Sequence, residues 1–267
     1  MAIDTAAYVA RIGYRGPIVP TVTTLRALHL AHLLTVPFEN LDIHLGRPIV
    51  LDEGRLFDKI VRQRRGGFCY ELNGLFAALL RELTFEVTML AAQFPRDDDA
   101  PAPKEDHLVL LVRAADSNET LLADVGAGRT SFAEPLLTTT TAAQPRPASG
   151  ASFRFIPEGD RHRLQRREPG GEWEPEYLVA WQPRILSDFE PGCLFHQTSP
   201  HSHFPRGRVC TRLTPTGRVT LSERRLITTA NGIRTERELS DEAAYQETLR
   251  TEFGIDLAIH YSSGGAS

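Results

Sequence analysis

Hydrophobic positions recur with a helical period through the first third of the chain. Leu72, Leu75, Phe76, Leu79, Leu80 and Leu83 form one apolar stripe and predict a buried amphipathic helix. Upstream, Pro20-Thr21 opens a helix carrying Leu25, Leu28, His29, His32 and Leu33. Asp52 caps another, with Leu56, Phe57, Ile60 and Val61 on one face and a stop at Gly66-Gly67. After Leu83 the period changes to two. Phe85, Val87 and Met89 alternate, and short apolar runs at 108–112 and 121–125 predict strands. Residues 153–156 and 177–181 read as further strands, and 208–213 with 218–221 as a hairpin around Thr-Pro-Thr-Gly. Residues 95–106 and 138–152 read as loops, Ser240-Asp241-Glu242 opens a last helix, and the tail 262–267 reads as disordered.

The chain has 267 residues, 41% hydrophobic and 24% charged, enough for two or three packed units. The net charge of −4 argues against nucleic acid as a partner. Of 30 basic residues 28 are arginine, and local arginine clusters could still meet a phosphate-bearing ligand. Cys69, Cys193 and Cys210 are too few and too odd for a disulfide framework and fit a reducing compartment. No signal peptide is read, and no apolar run approaches the roughly 20 residues of a membrane span. A cytoplasmic protein with no membrane partner is therefore expected.

Cys69 is placed where the strongest helix begins. Unpaired N–H groups and the partial positive charge of a helix N-terminus would favour a thiolate there. The glycines before it would let another molecule approach the backbone. A nucleophilic cysteine needs a base, and the base needs an orienting group. His107 opens the 108–112 strand and Asp124 lies near the end of the 121–125 strand. Taken singly, each has an ordinary alternative: a buried cysteine, an edge histidine, a turn aspartate. Cys193-x-x-His196 and His201-x-His203 place four metal-ligating side chains within eleven residues, but an incidental polar loop explains them better and no metal is expected.

Motifs along nearly the whole chain resemble those of arylamine N-acetyltransferases. They include Tyr8-x-x-Arg11-Ile12-Gly13-Tyr14, Leu28-His29-x-x-His32 and Pro37-Phe38-Glu39-Asn40-Leu41-Asp42. Arg65-Gly66-Gly67-Phe68-Cys69-Tyr70-Glu71-x-Asn73, Asp106-His107-x-x-Leu110 and Asp124-Val125-Gly126-x-Gly128 resemble the three triad segments of that family. Asp188-Phe189-x-Pro191 and Ser202-His203-Phe204 resemble the start of its last region.

The resemblance implies an α+β fold with a cysteine-protease-like Cys-His-Asp core. A helical unit at 1–84 would carry the nucleophile, an antiparallel β-barrel at 85–190 the histidine and aspartate, and 191–267 would form an α/β lid. Cys69, His107 and Asp124 become the catalytic triad, and Phe38, Phe68, Phe94, Gly126, Ala127, Gly128 and Phe204 the substrate contacts. The implied reaction is ping-pong transfer of acetyl from acetyl-CoA, the cosubstrate, to an aromatic amine or hydrazine, by a monomer or homodimer. One departure stands out: the family commonly has phenylalanine between the two glycines where this chain has Ala127. That enlarges the implied acceptor pocket, and it keeps open an amide synthase of the same fold that closes macrolactams. A papain- or transglutaminase-like hydrolase would share the nucleophile and base.

Overall fold

The structure, a computed structural model, describes residues 3–95, 102–146 and 150–257. The tail expected to be disordered, parts of the 95–106 loop and three residues of the 138–152 segment lie outside the described residues.

Helix α1 (Thr5–Arg11) is capped by Asp4, and α2 (Val22–Thr35) by the Thr21 side chain. A two-residue strand β1 (Phe38–Glu39) and a single turn α3 (Leu41–His44) follow. Helix α4 (Glu53–Phe57) runs on as a π-helical turn, Asp58–Arg62, and Asp52 caps it as expected. Helix α5 (Cys69–Glu82) is buried all round at its start, and the 72–83 stripe packs into the largest core cluster.

Eight antiparallel strands form the central sheet. They are β2 (Glu86–Gln93), β3 (His107–Arg113), β4 (Thr120–Ala123), β5 (Leu136–Leu137), β6 (Gln144–Pro145), β7 (Ser152–Glu158), β8 (Arg161–Arg167) and β9 (Glu174–Arg184). Their order is β5-β4-β3-β2-β9-β8-β7-β6. The two edges meet through one side chain. Gln144 Nε2 donates to the Leu137 carbonyl at 2.9 Å, and its Oε1 accepts the Leu137 N–H at 2.8 Å. The amide of Gln144 thus stands in for a ninth strand and nearly closes the barrel, which satisfies edge groups that would otherwise be unpaired. Phe153, Phe155, Leu164, Tyr177 and Val179 fill its interior.

Helix α6 (Glu190–Thr198) leads to a second antiparallel sheet of β10 (Val209–Thr214), β11 (Gly217–Ser222), β12 (Arg225–Ala230) and β13 (Ile233–Glu238). Helix α7 (Glu242–Thr248) covers one face of it, opened by the Asp241 cap. Strand β1 joins this sheet by pairing with β10, so the sheet draws on both ends of the chain.

Several elements were not legible. Strand β8 reads Arg-His-Arg-Leu-Gln-Arg-Arg, and only Leu164 of it is fully buried. Every residue of β13 is exposed. Such strands are held by ladder hydrogen bonds to their neighbours, which leave no apolar alternation in the sequence. Helix α6 and strand β6 were missed as well, the latter inside the expected 138–152 loop.

Candidate active site

The residues before Cys69 are held by a buried chain of charges. Arg65 donates through Nε and Nη2 to Glu39 Oε1 at 3.0 and 2.7 Å, and through Nη2 to Asp42 Oδ1 at 3.0 Å. Lys59 Nζ lies 2.7 Å from both Asp42 Oδ2 and Glu71 Oε1. Glu71 Oε2 accepts the Phe68 N–H at 3.0 Å, one residue before the nucleophile candidate. Arg65 is therefore a buried brace for the segment that leads to Cys69. The surrounding charges push Lys59 and Arg65 up despite their burial, while burial raises Glu71 to about 7 even beside Lys59.

The glycines have a different task from the one expected. A Cβ on Gly66 would lie 2.0 Å from the Pro37 carbonyl oxygen, and one on Gly67 2.7 Å from the Glu71 carboxylate. Glu39 N–H donates to the Gly67 carbonyl at 2.9 Å. These glycines admit the chain's own β1 segment, not a substrate.

Cys69 sits at the start of α5, as predicted, and lines a cavity of about 1140 Å³. The helix end does not by itself deliver a thiolate. Burial first, then the charges of Asp106 and Asp124, push the Cys69 thiol well up, and a hydrogen bond from the Leu108 backbone opposes them. That bond ties the sulfur to the strand that His107 opens. His107 Nε2 donates to Asp124 Oδ2 at 2.8 Å. Both side chains are buried, and His107 lines the same cavity as Cys69.

Asp124 lies one residue beyond β4, not within it. Freed from the ladder, its carboxylate collects donors. Asn73 Nδ2 reaches Oδ1 at 2.8 Å, the Gly126 N–H reaches Oδ1 at 2.9 Å, and the Tyr177 hydroxyl reaches Oδ2 at 3.2 Å. Burial raises its pKa, but the His107 charge and these hydrogen bonds outweigh it and hold the carboxyl below the usual range. Asn73 also accepts the Val125 N–H at 2.9 Å and donates to the Leu108 carbonyl at 2.6 Å, so one α5 side chain braces both Asp124 and the backbone next to His107.

Of the predicted contacts, Phe38, Phe94, Gly126, Ala127, Gly128 and Phe204 all line the cavity. The Phe38 and Phe204 rings lie 5.9 Å apart, and Phe94 stands 5.0 Å from the His107 ring. Phe68 does not join them. Its ring is fully buried edge-on against Tyr70 and Phe204, behind the wall, because the helix N-cap turns it into the core. Gly128 is left-handed at φ 59°, and a Cβ there would press on the Phe38 ring at 3.3 Å.

A second polar chain was missed. Asp106 Oδ1 lies 3.2 Å from His196 Nε2, and His196 Nδ1 lies 3.1 Å from Ser202 Oγ. All three line the cavity, and only the chain's tertiary path brings them together. These bonds occupy His196, while Cys193 packs against the Ile49 carbonyl and Gln197. Burial pushes the Cys193 thiol up to about 12 and raises Cys210 as well. Among the described residues no group of three or more His, Cys, Asp and Glu is placed to hold a metal ion. No helix among them is long and apolar enough to cross a membrane.

Helices that carry Cys69, packed on a nearly closed antiparallel barrel that carries His107 and leads into Asp124, make this an α+β protein. The sequence profile of the N-acetyltransferase family matches residues 21–261. The arylamine N-acetyltransferase of Mycolicibacterium smegmatis is 36% identical over 260 residues, covering 96% of this chain and 94% of that protein. The solved arylamine N-acetyltransferase of M. tuberculosis superposes with a TM-score of 0.88 at 36% identity, covering 96% of this chain and 95% of the other. The Mycobacterium marinum enzyme in complex with CoA gives 0.86 at 35% identity, covering 94% and 93%. The chain belongs to the arylamine N-acetyltransferase family.

Proposed function

We propose that this protein transfers an acetyl group from acetyl-CoA to the nitrogen of arylamines or hydrazines through a Cys69 thioester. The observation that carries this reading is the joint placement of Cys69 and His107 on one cavity wall, with Asp124 bound to His107 Nε2 at 2.8 Å. Nε2 is committed to Asp124, so Nδ1 is the nitrogen left to take the thiol proton. A buried thiol raised by two carboxylates ionises only by handing that proton to His107, which yields a thiolate–imidazolium pair.

The sulfur then attacks the acetyl carbonyl carbon, and N–H groups at the start of α5 receive the developing oxyanion. The bond from carbonyl carbon to the coenzyme sulfur breaks, and His107 returns its proton to that leaving thiolate. In the second half the acceptor nitrogen attacks the acetyl–Cys69 carbonyl. His107 takes the amine proton and gives it back to Cys69 as the amide departs. Asp124 stabilises the imidazolium in both halves. The M. marinum relative is described in complex with CoA, which supports the coenzyme as donor for this chain. The division into a helical unit at 1–84, a barrel unit at 85–190 and a lid at 191–267 belongs to the same reading, each contributing one wall of the cavity.

The test is mass spectrometry of protein treated with acetyl-CoA and no acceptor. One acetyl group should appear on Cys69, and Cys69→Ser should abolish turnover with the fold intact. Acetylation confined to Cys193 or Cys210, with Cys69→Ser still active, would overturn the reading.

A further inference from the structure

Side chains alternate along each strand of the second sheet, so its two faces differ. Cys210, Val219, Leu221 and Leu226 enter the core beneath α7. Thr211, Arg218, Thr220 and Thr229 face the other way and line the cavity that holds Cys69. They are neighbours across the strands: Thr211 lies opposite Thr220, and Arg218 opposite Thr229. The cavity wall therefore includes a hydroxyl-rich sheet face with one guanidinium on its middle strand.

Five arginines line the cavity, and their partners differ. Arg208 is paired with Glu242 and Glu223, and Arg234 with Glu236. Arg206 donates to the Pro200 carbonyl at 2.9 Å. Among the described residues Arg129 and Arg218 have no carboxylate within ion-pair reach, and Arg218 is the more buried of the two. Its hydrogen bond to the protein runs from Nη1 to Thr211 Oγ1 at 3.3 Å. Burial first, then the charges of Arg166 and Arg129, push the Arg218 guanidinium down to about 10. Every one of these influences opposes its charge. Glu168, also in the wall, is engaged by Arg166 and so does not compensate Arg218.

A guanidinium presents five donors in a fixed fork, and desolvating it without a counter-charge is costly. Here most of the fork is unspent, and it opens into the reactive cavity. A positive neighbour on the same cavity wall, Arg129, follows directly on the glycine turn after Asp124, which links the charged patch to the reacting end. A cavity of about 1140 Å³ exceeds the volume a small arylamine needs and leaves room for a long donor.

We propose that Arg218, assisted by Arg129, is a phosphate subsite that holds coenzyme A while its thioester reaches Cys69. This rests on the acetyl-CoA reading above. The planar fork suits two phosphate oxygens at once, and Thr229, its cross-strand neighbour, offers a further hydroxyl donor.

The test compares acetyl-CoA, acetyl-dephospho-CoA and acetyl-pantetheine as donors for wild type, Arg218→Met and Arg218→Lys. Arg218→Met should raise KM for acetyl-CoA roughly 10- to 100-fold, the scale of a charged hydrogen-bonding contact, with kcat at saturation kept. KM for acetyl-pantetheine, which ends at the pantetheine arm and carries no phosphate, should not move. Arg218→Lys keeps the charge but not the fork and should fall between. It also serves if the methionine variant folds poorly. A penalty that vanishes with acetyl-dephospho-CoA assigns the 3′-phosphate to the subsite, and one that persists assigns the pyrophosphate. An unchanged KM for acetyl-CoA in both variants, or an equal rise for acetyl-pantetheine, would overturn the subsite. Wild-type protein left unacetylated by all three donors would overturn the donor reading, and the subsite with it.

Discussion

The main-chain N–H of Asp124 donates to Nε2 of His29 at 3.1 Å, from the middle of α2 to the point where β4 ends. The other ring nitrogen, Nδ1, donates to the Ala133 carbonyl at 3.2 Å. Together the two bonds require a neutral imidazole with its proton on Nδ1. The ring stacks on Phe132 at 5.8 Å with 9° between the planes. His29 thus fixes the backbone of the residue that holds His107, without touching the cavity itself.

This arrangement has a pH signature. Burial lowers the His29 pKa to about 4, against an ordinary value near 6.5 in the unfolded chain. Between those values the unfolded state carries the extra proton, so this contribution to stability is complete above pH 6.5 and is lost as pH falls toward 4. The loss should reach about 3 kcal/mol. Urea unfolding of wild type and His29→Gln at pH 7 and pH 4.5 should show a steeper loss in wild type. Parallel losses would mean that another group titrates.

His107 and Asp124 should fail as a unit. His107→Ala and Asp124→Ala should each lower kcat/KM by about 10³-fold or more, and the double variant should be little worse than either alone. Tyr177→Phe removes one donor of several to Asp124 and should cost only about 10-fold. Steady-state kinetics of the four variants decides it. Losses that multiply in the double variant would show that the two residues act independently.

Gly126 is required by close packing, not by its dihedral angles. A Cβ there would stand 2.7 Å from Asn73 Nδ2, 2.8 Å from Cys69 Cα and 3.0 Å from the Cys69 carbonyl oxygen. Backbone atoms cannot swing aside, so Gly126→Ala should displace the start of α5 from the His107–Asp124 pair. We expect about 1–3 kcal/mol of destabilisation and at least about 100-fold loss of rate. Thermal unfolding and acetylation rate should fall together, and a variant of unchanged rate would show that the turn has room to give.

Ala127 lines the cavity between the two packed glycines, and the Phe38 and Phe204 rings line the same cavity. A phenyl ring in that place would add a stacking surface for a small aryl amine and take space from a large one. One such contact is worth about 0.5–1.5 kcal/mol, or roughly 2- to 13-fold in the specificity constant. Ala127→Phe should therefore favour small anilines over bulky amines or hydrazides. The measurement is the ratio of kcat/KM for the two acceptors in wild type and variant, and a ratio that stays put removes residue 127 from the acceptor pocket.

The local order of the chain determined a good part of this protein. The apolar period of 72–83 located α5, and Cys69 stands at its first turn because the preceding glycines end one element and the stripe begins the next. His107 opens β3 as the short apolar run at 108–112 foretold. Asp124, Phe38 and Phe204 were picked out by motif order, which says that they belong to a common design but not how far apart they lie.

Tertiary structure decided the rest, because distance between remote segments is set by packing and not by spacing. It turned Phe68 into the core and made Arg65 a buried brace. It gave Gly66 and Gly67 to strand β1, and brought Asp106, His196 and Ser202 into line from segments some ninety residues apart. It also set the electrostatics of Cys69. A helix N-terminus read from sequence promises a thiolate, but burial beside Asp106 and Asp124 pushes the thiol up instead. Strands such as β8 and β13 stayed hidden for a related reason: ladder hydrogen bonds to neighbours, which no local pattern records, are what hold a charged segment in a sheet.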